Sequence, residues 1–227
     1  MLEEKIWQIE QPVDLILLPE MFPTGFSMDA PELAEHSNLG VTKWMKQMAT
    51  QTKSVIAGSV IIQEGGDFFN RLLWFPQTNG ARGSYIFRRS KNTYFLPHGW
   101  NICPQICYDL RFPVWSRNRQ NQGKMAYDLI FYVASWPAAR ISAWDALLPA
   151  RAIENLAYSI GVNRVGIDGN GLVYNGHSAA YDFRGTQICS VQDQDQIQIV
   201  TLDAAQLEEY RQKFPAWMDA DDFEIQL

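Results

Sequence analysis

Three stretches of the chain are apolar without alternation, and each has the length of a strand rather than a helix. They are VDLILLPEMF at 13–22, SVIAGSVIIQ at 54–63 and YDLIFYVASWP at 127–137. Runs of this kind predict strands covered on both faces, as in the sheet interior of a layered α/β protein. Gly58 breaks the second run and a Trp–Pro loop ends the third. Two other segments carry a helical period. One is 41–52; the other begins at Ser142, where Trp144, Leu147, Leu148, Ile153, Leu156, Ala157 and Ile160 recur at helical spacing. Gly161 is the expected C-cap of this second helix, and Pro149 predicts a kink or a division into two helices.

The remaining segments read as connections and smaller elements. A helix-like piece with Ile6, Trp7 and Ile9 opens the chain, and the turn signals GGD and TNG around 68–75 predict a hairpin. NRVGIDGNGLVYNGHSAAYDFRGTQI alternates short strands with glycine turns, a second hairpin. The C-terminus gives one or two helical turns and an aromatic, acidic tail. With no internal repeat, low-complexity segment or linker, residues 1–227 are expected to form a single α/β domain.

Composition removes several classes of function. At 47% hydrophobic and 19% charged residues the chain is an ordinary globular protein. A net charge of -6 gives no footing for nucleic acid or an anionic membrane surface; only Arg82, Arg88, Arg89 and Lys91 approach a basic cluster. No apolar run reaches the roughly 18 to 20 residues that cross a bilayer, and MLEEKIWQIE has no signal pattern. Three cysteines at unrelated spacings argue against a disulfide framework. The cytoplasm is the expected compartment.

Within NICPQICYDLRFP, at 101–113, a short apolar strand runs into a cysteine and then into polar and aromatic residues. Cys107 should therefore sit where a strand stops and the backbone bends. A thiol there projects from the sheet edge, and the Tyr108 N–H can face an oxyanion on the attacked carbon. Glu20, at the end of the first apolar run, falls on the edge where loops build sites in layered α/β folds. Trp136 ends the strand after that of Cys107, so its ring suits a pocket wall or core packing equally. Asp109 and Arg111 could pair to hold the elbow, and Arg151 could pair with Glu154 along a helix. Cys103 and Cys107 lack a second ligand pair for zinc, Cys189 reads as core, and His177 as a hairpin hydrogen-bonding residue.

LLPEMFPTGF, CPQICYDLRFPVWSRN, LIFYVASWPAAR, ARAIENLAY and NRVGIDGNG resemble, in order, the signatures of the nitrilase, or carbon–nitrogen hydrolase, superfamily, and together with KFPAWMDADDF they most resemble its bacterial ω-amidase branch. The resemblance implies a four-layer αββα sandwich that dimerises and hydrolyses a small amide without metal or cofactor. It implies a Glu–Lys–Cys triad, with Glu20 as general base and Cys107 as nucleophile. The substrate it implies is an ω-amide of a dicarboxylic acid such as 2-oxoglutaramate. Another carbon–nitrogen hydrolase activity, nitrilase or carbamoylase, fits the same residues, and so does a decayed member serving as a dimeric scaffold.

The third catalytic residue is where the sequence departs from the pattern. The family's lysine lies in a Y-D-K-R-like turn about thirty residues before the cysteine, with a further acid after it. Here the interval reads GSYIFRRSKNTYFLPHGWNIC; Tyr85 matches, no D-K-R follows, and Lys91 is the lone lysine between Lys53 and Lys124. The resemblance also leaves two strands of the family unmatched, one between Leu96 and Trp100 and the first strand before the opening helix. Either the chain is a degenerate member, or residues of a longer chain are missing from between its segments. Intact motifs on both sides favour the second, since core strands are costly to lose. Lys91 is the candidate cationic donor, although its arginine-rich surroundings fit a solvated lysine better.

Overall fold

The computed structural model describes residues 2–36, 40–76, 85–86, 94–121 and 123–221. The first sheet comprises β1 (Leu15–Leu17), β2 (Glu35–His36), β3 (Val55–Glu64), β4 (Asp67–Phe75) and β5 (Tyr85–Ile86). β3 is its axis, pairing antiparallel with β4 along one edge and parallel with β1 and then β2 along the other. The second sheet is built on β6 (Tyr94–Phe95) and β7 (Asn101–Ile106), and after the small ladder of β8 (Gln120–Asn121) with β9 (Lys124–Met125) it continues through β10 (Leu129–Ala134). β11 (Tyr158–Asn163), β12 (Val165–Ile167), β13 (Val173–Tyr181) and β14 (Gln187–Gln192) complete it. β7, β10 and β11 run parallel, so their carboxyl ends share one edge.

Side-chain alternation explains why these strands read as continuous apolar runs. On β10, Leu129, Phe131 and Val133 face the first sheet, where they meet Val55, Ala57, Leu72 and Trp74. Ile130, Tyr132 and Ala134 face the other way. Both faces are covered, so no position on this strand is left for water.

The helices supply the outer layers. They are α1 (Leu2–Ile6), α2 (Ala30–Leu33), α3 (Gly40–Thr52), α4 (Pro113–Ser116), α5 (Ile141–Asn155) and α6 (Ala204–Lys213). α3 buries Met45, Met48 and Ala49 against Ile56, Leu73 and Phe75. α5 lays Trp144, Leu148 and Ala152 over Cys103, Ile130 and Tyr132. The order of layers is thus α, β, β, α, each fully buried large side chain contributing about 1.5–3 kcal/mol.

Several elements differ from the sequence reading for local physical reasons. α5 continues through Pro149 as one helix and ends at Leu156, whose φ of 46° gives the left-handed cap. Residues after it belong to β11, so Gly161 is no cap: a Cβ there would come within 2.5 Å of Leu148 and Trp144, and glycine lets α5 lie close on the sheet. Gly58 does not break β3. Its missing Cβ leaves room for Leu18, which a methyl group would approach to 2.9 Å, and for Phe22. The C-terminal helix is longer than expected because Asp203 caps it, accepting from the N–H groups of Ala205 and Gln206. Between Leu96 and Trp100, where the sequence leaves a strand of the family unmatched, a 3-10 turn joins β6 to its antiparallel partner β7, and the Leu96 N–H donates to Trp100 O at 3.0 Å. The segment 65–75 forms its hairpin with β3, and the TNG turn lies outside the described residues.

Candidate active site

The chain reaches the site first through β1. Pairing with β3 persists as far as Leu18, whose N–H donates to Ala57 O at 2.8 Å. Past Pro19 the backbone turns: Met21 has a φ of 45°, and its N–H donates to Ser59 Oγ at 2.9 Å. This turn sends the Glu20 side chain inward, where it is 3% exposed. Oε1 accepts from Asn70 Nδ2 and Oε2 from the Ser135 N–H, both at 2.7 Å. β1, β4 and β10 therefore converge on one carboxylate.

Cys107 is the first residue after β7 and opens the 3-10 turn Cys107–Arg111. Its φ of 40° is unfavourable for a residue with a Cβ, and a strained residue at a strand end is a common setting for a nucleophile. Asp109 steadies the bend by accepting the Ile106 N–H at 3.0 Å. The thiol lies against the Glu20 carboxylate, close enough for each group to alter the other's proton affinity. Burial is the main cause on both sides. It pushes the Glu20 carboxyl above its usual range, opposed by hydrogen bonds from Cys107, Ser135 and Asn70. It also pushes the Cys107 thiol well up, and the adjacent Glu20 charge adds to the rise. At rest the thiol keeps its proton, with its acceptor already in place.

Other expected residues fall nearby or elsewhere. Tyr108 follows Cys107 with its ring exposed and edge-on to Phe112, and its N–H belongs to the first turn, where helical backbone donors lack internal partners. Trp136 is buried among the side chains under α5, 5.5 Å from the Trp144 ring, and the Arg111 guanidinium sits 4.9 Å from its centroid. Lys91 lies outside the described residues. Cys103 faces α5, with burial pushing its thiol up to about 12. Cys189, expected in the core, is only partly buried because β14 lies at a sheet edge. His177 contacts Asp145 at 3.0 Å. Arg151 and Glu154 do pair, at 2.9 Å. Among the described residues no group of three or more His, Cys, Asp or Glu side chains could hold a metal ion.

Asn70 and Ser135 were not singled out from the sequence, though a signal for Ser135 was available. Glu20, Cys107 and Ser135 are each the first polar or nucleophilic residue beyond a strand of the parallel set, where such sheets place their sites. Asn70 has a weaker mark, a polar residue inside the aromatic strand DFFNRLLWF.

A thiol, a buried carboxylate and an exposed turn of backbone donors at one sheet edge are the kinds of group that nucleophilic hydrolysis uses. The chain belongs to the carbon–nitrogen hydrolase family, whose model matches residues 3–212. It is 44% identical over 229 residues to the omega-amidase YafV of Escherichia coli K12, covering 93% of this chain and 86% of that one. It is 28% identical over 223 residues to the 2-oxoglutaramate amidase of Bacillus subtilis, covering 91% and 84%. A crystal structure of a CN-hydrolase superfamily protein from Xanthomonas campestris, with an arsenic adduct in its active site, superposes with a TM-score of 0.93 at 39% identity, covering 99% of this chain and 91% of that one. The chain is accordingly an amidase of this family.

Proposed function

We propose that this amidase hydrolyses the terminal amide of a small dicarboxylic acid, of the 2-oxoglutaramate type, through a thioester on Cys107 and without a metal. The observation that carries the mechanism is the burial of the Glu20 carboxylate against the Cys107 thiol. Glu20 takes the thiol proton as sulfur attacks the amide carbon, and the oxyanion accepts from the Tyr108 N–H. Glu20 then returns the proton to the departing nitrogen, releasing ammonia. In the second half-reaction it deprotonates water, which attacks the thioester, and sulfur leaves with the proton restored. Asn70 and Ser135 hold the carboxylate in line throughout. Lys91 remains the candidate for a cationic donor to the oxyanion.

Two observations support the substrate class. The relatives in E. coli and B. subtilis are an omega-amidase and a 2-oxoglutaramate amidase. Arg111, four residues after the nucleophile, has no carboxylate partner among the described residues and is held over Trp136, a placement suited to the free carboxylate of a substrate. Such an enzyme is expected to be a cytoplasmic homodimer. The test is ammonia release from 2-oxoglutaramate and succinamate beside aliphatic nitriles and N-carbamoyl amino acids. Turnover of the two ω-amides that is lost in Cys107→Ala supports the reading. Preference for nitriles or carbamoyl compounds overturns the substrate, and no turnover with an unreactive Cys107 overturns the mechanism.

A further inference from the structure

The motif ARAIEN, at 150–155, forms the last turns of α5, and the chemistry proposed above uses none of its residues. At its centre Arg151 is only 4% exposed. Nη1 donates to Glu154 Oε1 at 2.9 Å and Nη2 to Leu110 O at 2.6 Å, while Nε is buried without a partner among the described residues. A guanidinium is costly to desolvate, and one paired in this partial way is weak evidence of a stabilising role. The bond to Leu110 leaves α5 and enters the turn that Cys107 opens. One helical turn on, Asn155 takes the far end of the same connection: its Oδ1 accepts from the Asn118 N–H at 2.8 Å, and its carbonyl accepts from Asn118 Nδ2 at 3.0 Å. The segment from Cys107 to Asn118 is thus fastened to α5 at two points.

We propose that Arg151 is a positioning residue for the reaction: by holding the Leu110 carbonyl it keeps Cys107 at its left-handed φ, and so keeps the thiol against Glu20. A residue with a Cβ stays at a φ of 40° only where its surroundings fix it. Contacts on both sides of Cys107 do so. Before it, the Ile106 N–H donates to Asp109 Oδ2 at 3.0 Å; after it, Arg151 grips Leu110, whose side chain is 0% exposed under α5. An apolar side chain at position 151 would offer Leu110 O no donor. The carbonyl would then have to turn toward water, and the strained residue three positions earlier would relax with it. The inference rests on Cys107 as the attacking group.

The test follows succinamate turnover and iodoacetamide labelling of Cys107 at neutral pH in Arg151→Met and Arg151→Lys, with folding checked by circular dichroism. Arg151→Met keeps most of the side chain's length and removes its donors. Its kcat should fall on the order of a hundredfold, as a displacement of about 1 Å commonly costs, and labelling of Cys107 should slow while Cys103 stays unlabelled. Arg151→Lys keeps the charge beside Glu154 but lacks the fork that spans both acceptors, so its kcat should fall by roughly tenfold. Met45→Ala, in α3 over the outer face of the first sheet, controls for lost stability and should keep kcat within about threefold of the parent. Parental kcat and labelling in a folded Arg151→Met overturn the proposal; if that variant does not fold, parental kcat in Arg151→Lys overturns it instead. Labelling that speeds up at Cys107 and spreads to Cys103 would mark general loosening and overturn it too, as would an equal kcat loss in Met45→Ala. The labelling needs no substrate, so it stands whichever amide the enzyme takes. Turnover retained in Cys107→Ala would fail the reading of the site itself, a result distinct from parental behaviour of the Arg151 variants.

Discussion

The Ser135 N–H donates to Glu20 Oε2 at 2.7 Å and so ties the end of β10 in one sheet to the end of β1 in the other. A carboxylate fixed in this way is held by backbone, which a side-chain substitution elsewhere cannot easily move; if Glu20 is the proposed base, two properties follow. Its removal should separate catalysis from stability. In Glu20→Gln the amide oxygen can keep the Ser135 bond, and the new NH₂ can donate to Asn70 Oδ1, which is buried without a partner, once the Asn70 amide turns over. Turnover should fall by roughly 10²- to 10⁴-fold, the usual share of a general base. The folded pKa of Glu20 is raised, so its contribution to stability is complete below the unfolded value and is lost as pH rises through the folded one. The variant should thus gain thermal stability over the parent near pH 7 and lose that advantage toward pH 4. Melting curves across this range check the sign, and an advantage that grows toward acid would refute it.

Asn70 offers a finer test of the same carboxylate. Its hydrogen bond favours the ionised form of Glu20, so Asn70→Ala should raise the pKa of the base further. The acid limb of the kcat/KM profile then moves to higher pH. Loss of a partner from a buried oxygen should also cost about 1–3 kcal/mol of stability. A stability loss with an unmoved limb would leave Asn70 a packing residue alone.

The cysteines should differ in alkylation for reasons of burial and base. Cys103 is 1% exposed, with its thiol pushed up to about 12, so iodoacetamide should spare it. Cys107 also has a raised pKa, so it should react through proton transfer to Glu20 rather than as a standing thiolate. Peptide mapping after brief treatment at neutral pH should find the label on Cys107 in the parent and much less in Glu20→Gln. Equal labelling in both would show that the thiol does not depend on this carboxylate.

Much of the architecture was legible because burial on both faces leaves a plain mark. LIFYVA has no polar position to lose, and the structure covers all six residues. The positions of Glu20 and Cys107 were legible as strand ends. What failed were boundaries and edges. Leu156 to Ile160 continue the helical apolar spacing, but a left-handed residue at Leu156 ends the helix, and nothing in its leucine side chain announces that. Asn70 was missed because its role depends on the register between β3 and β4, which sets Asn70 opposite Ile61 and aims it toward a residue fifty positions earlier.

Arg111 carries the last prediction, because it separates recognition from chemistry. Its guanidinium lies over the Trp136 ring, four residues beyond Cys107, with no carboxylate partner among the described residues. If it receives the far carboxylate of a dicarboxylic monoamide, Arg111→Gln removes a charge-assisted hydrogen bond worth about 1.5–3 kcal/mol, or roughly ten- to hundredfold in kcat/KM. The loss should fall on KM when that contact is made equally in the ground and transition states. Arg111→Lys should recover part of it, since a lysine keeps the charge but not the planar fork that stacks on an aromatic ring. A neutral amide of similar length, such as butyramide, supplies the control: its turnover by parent and variant should match within about twofold. Equal losses on succinamate and butyramide would instead make Arg111 a support for the Cys107 turn.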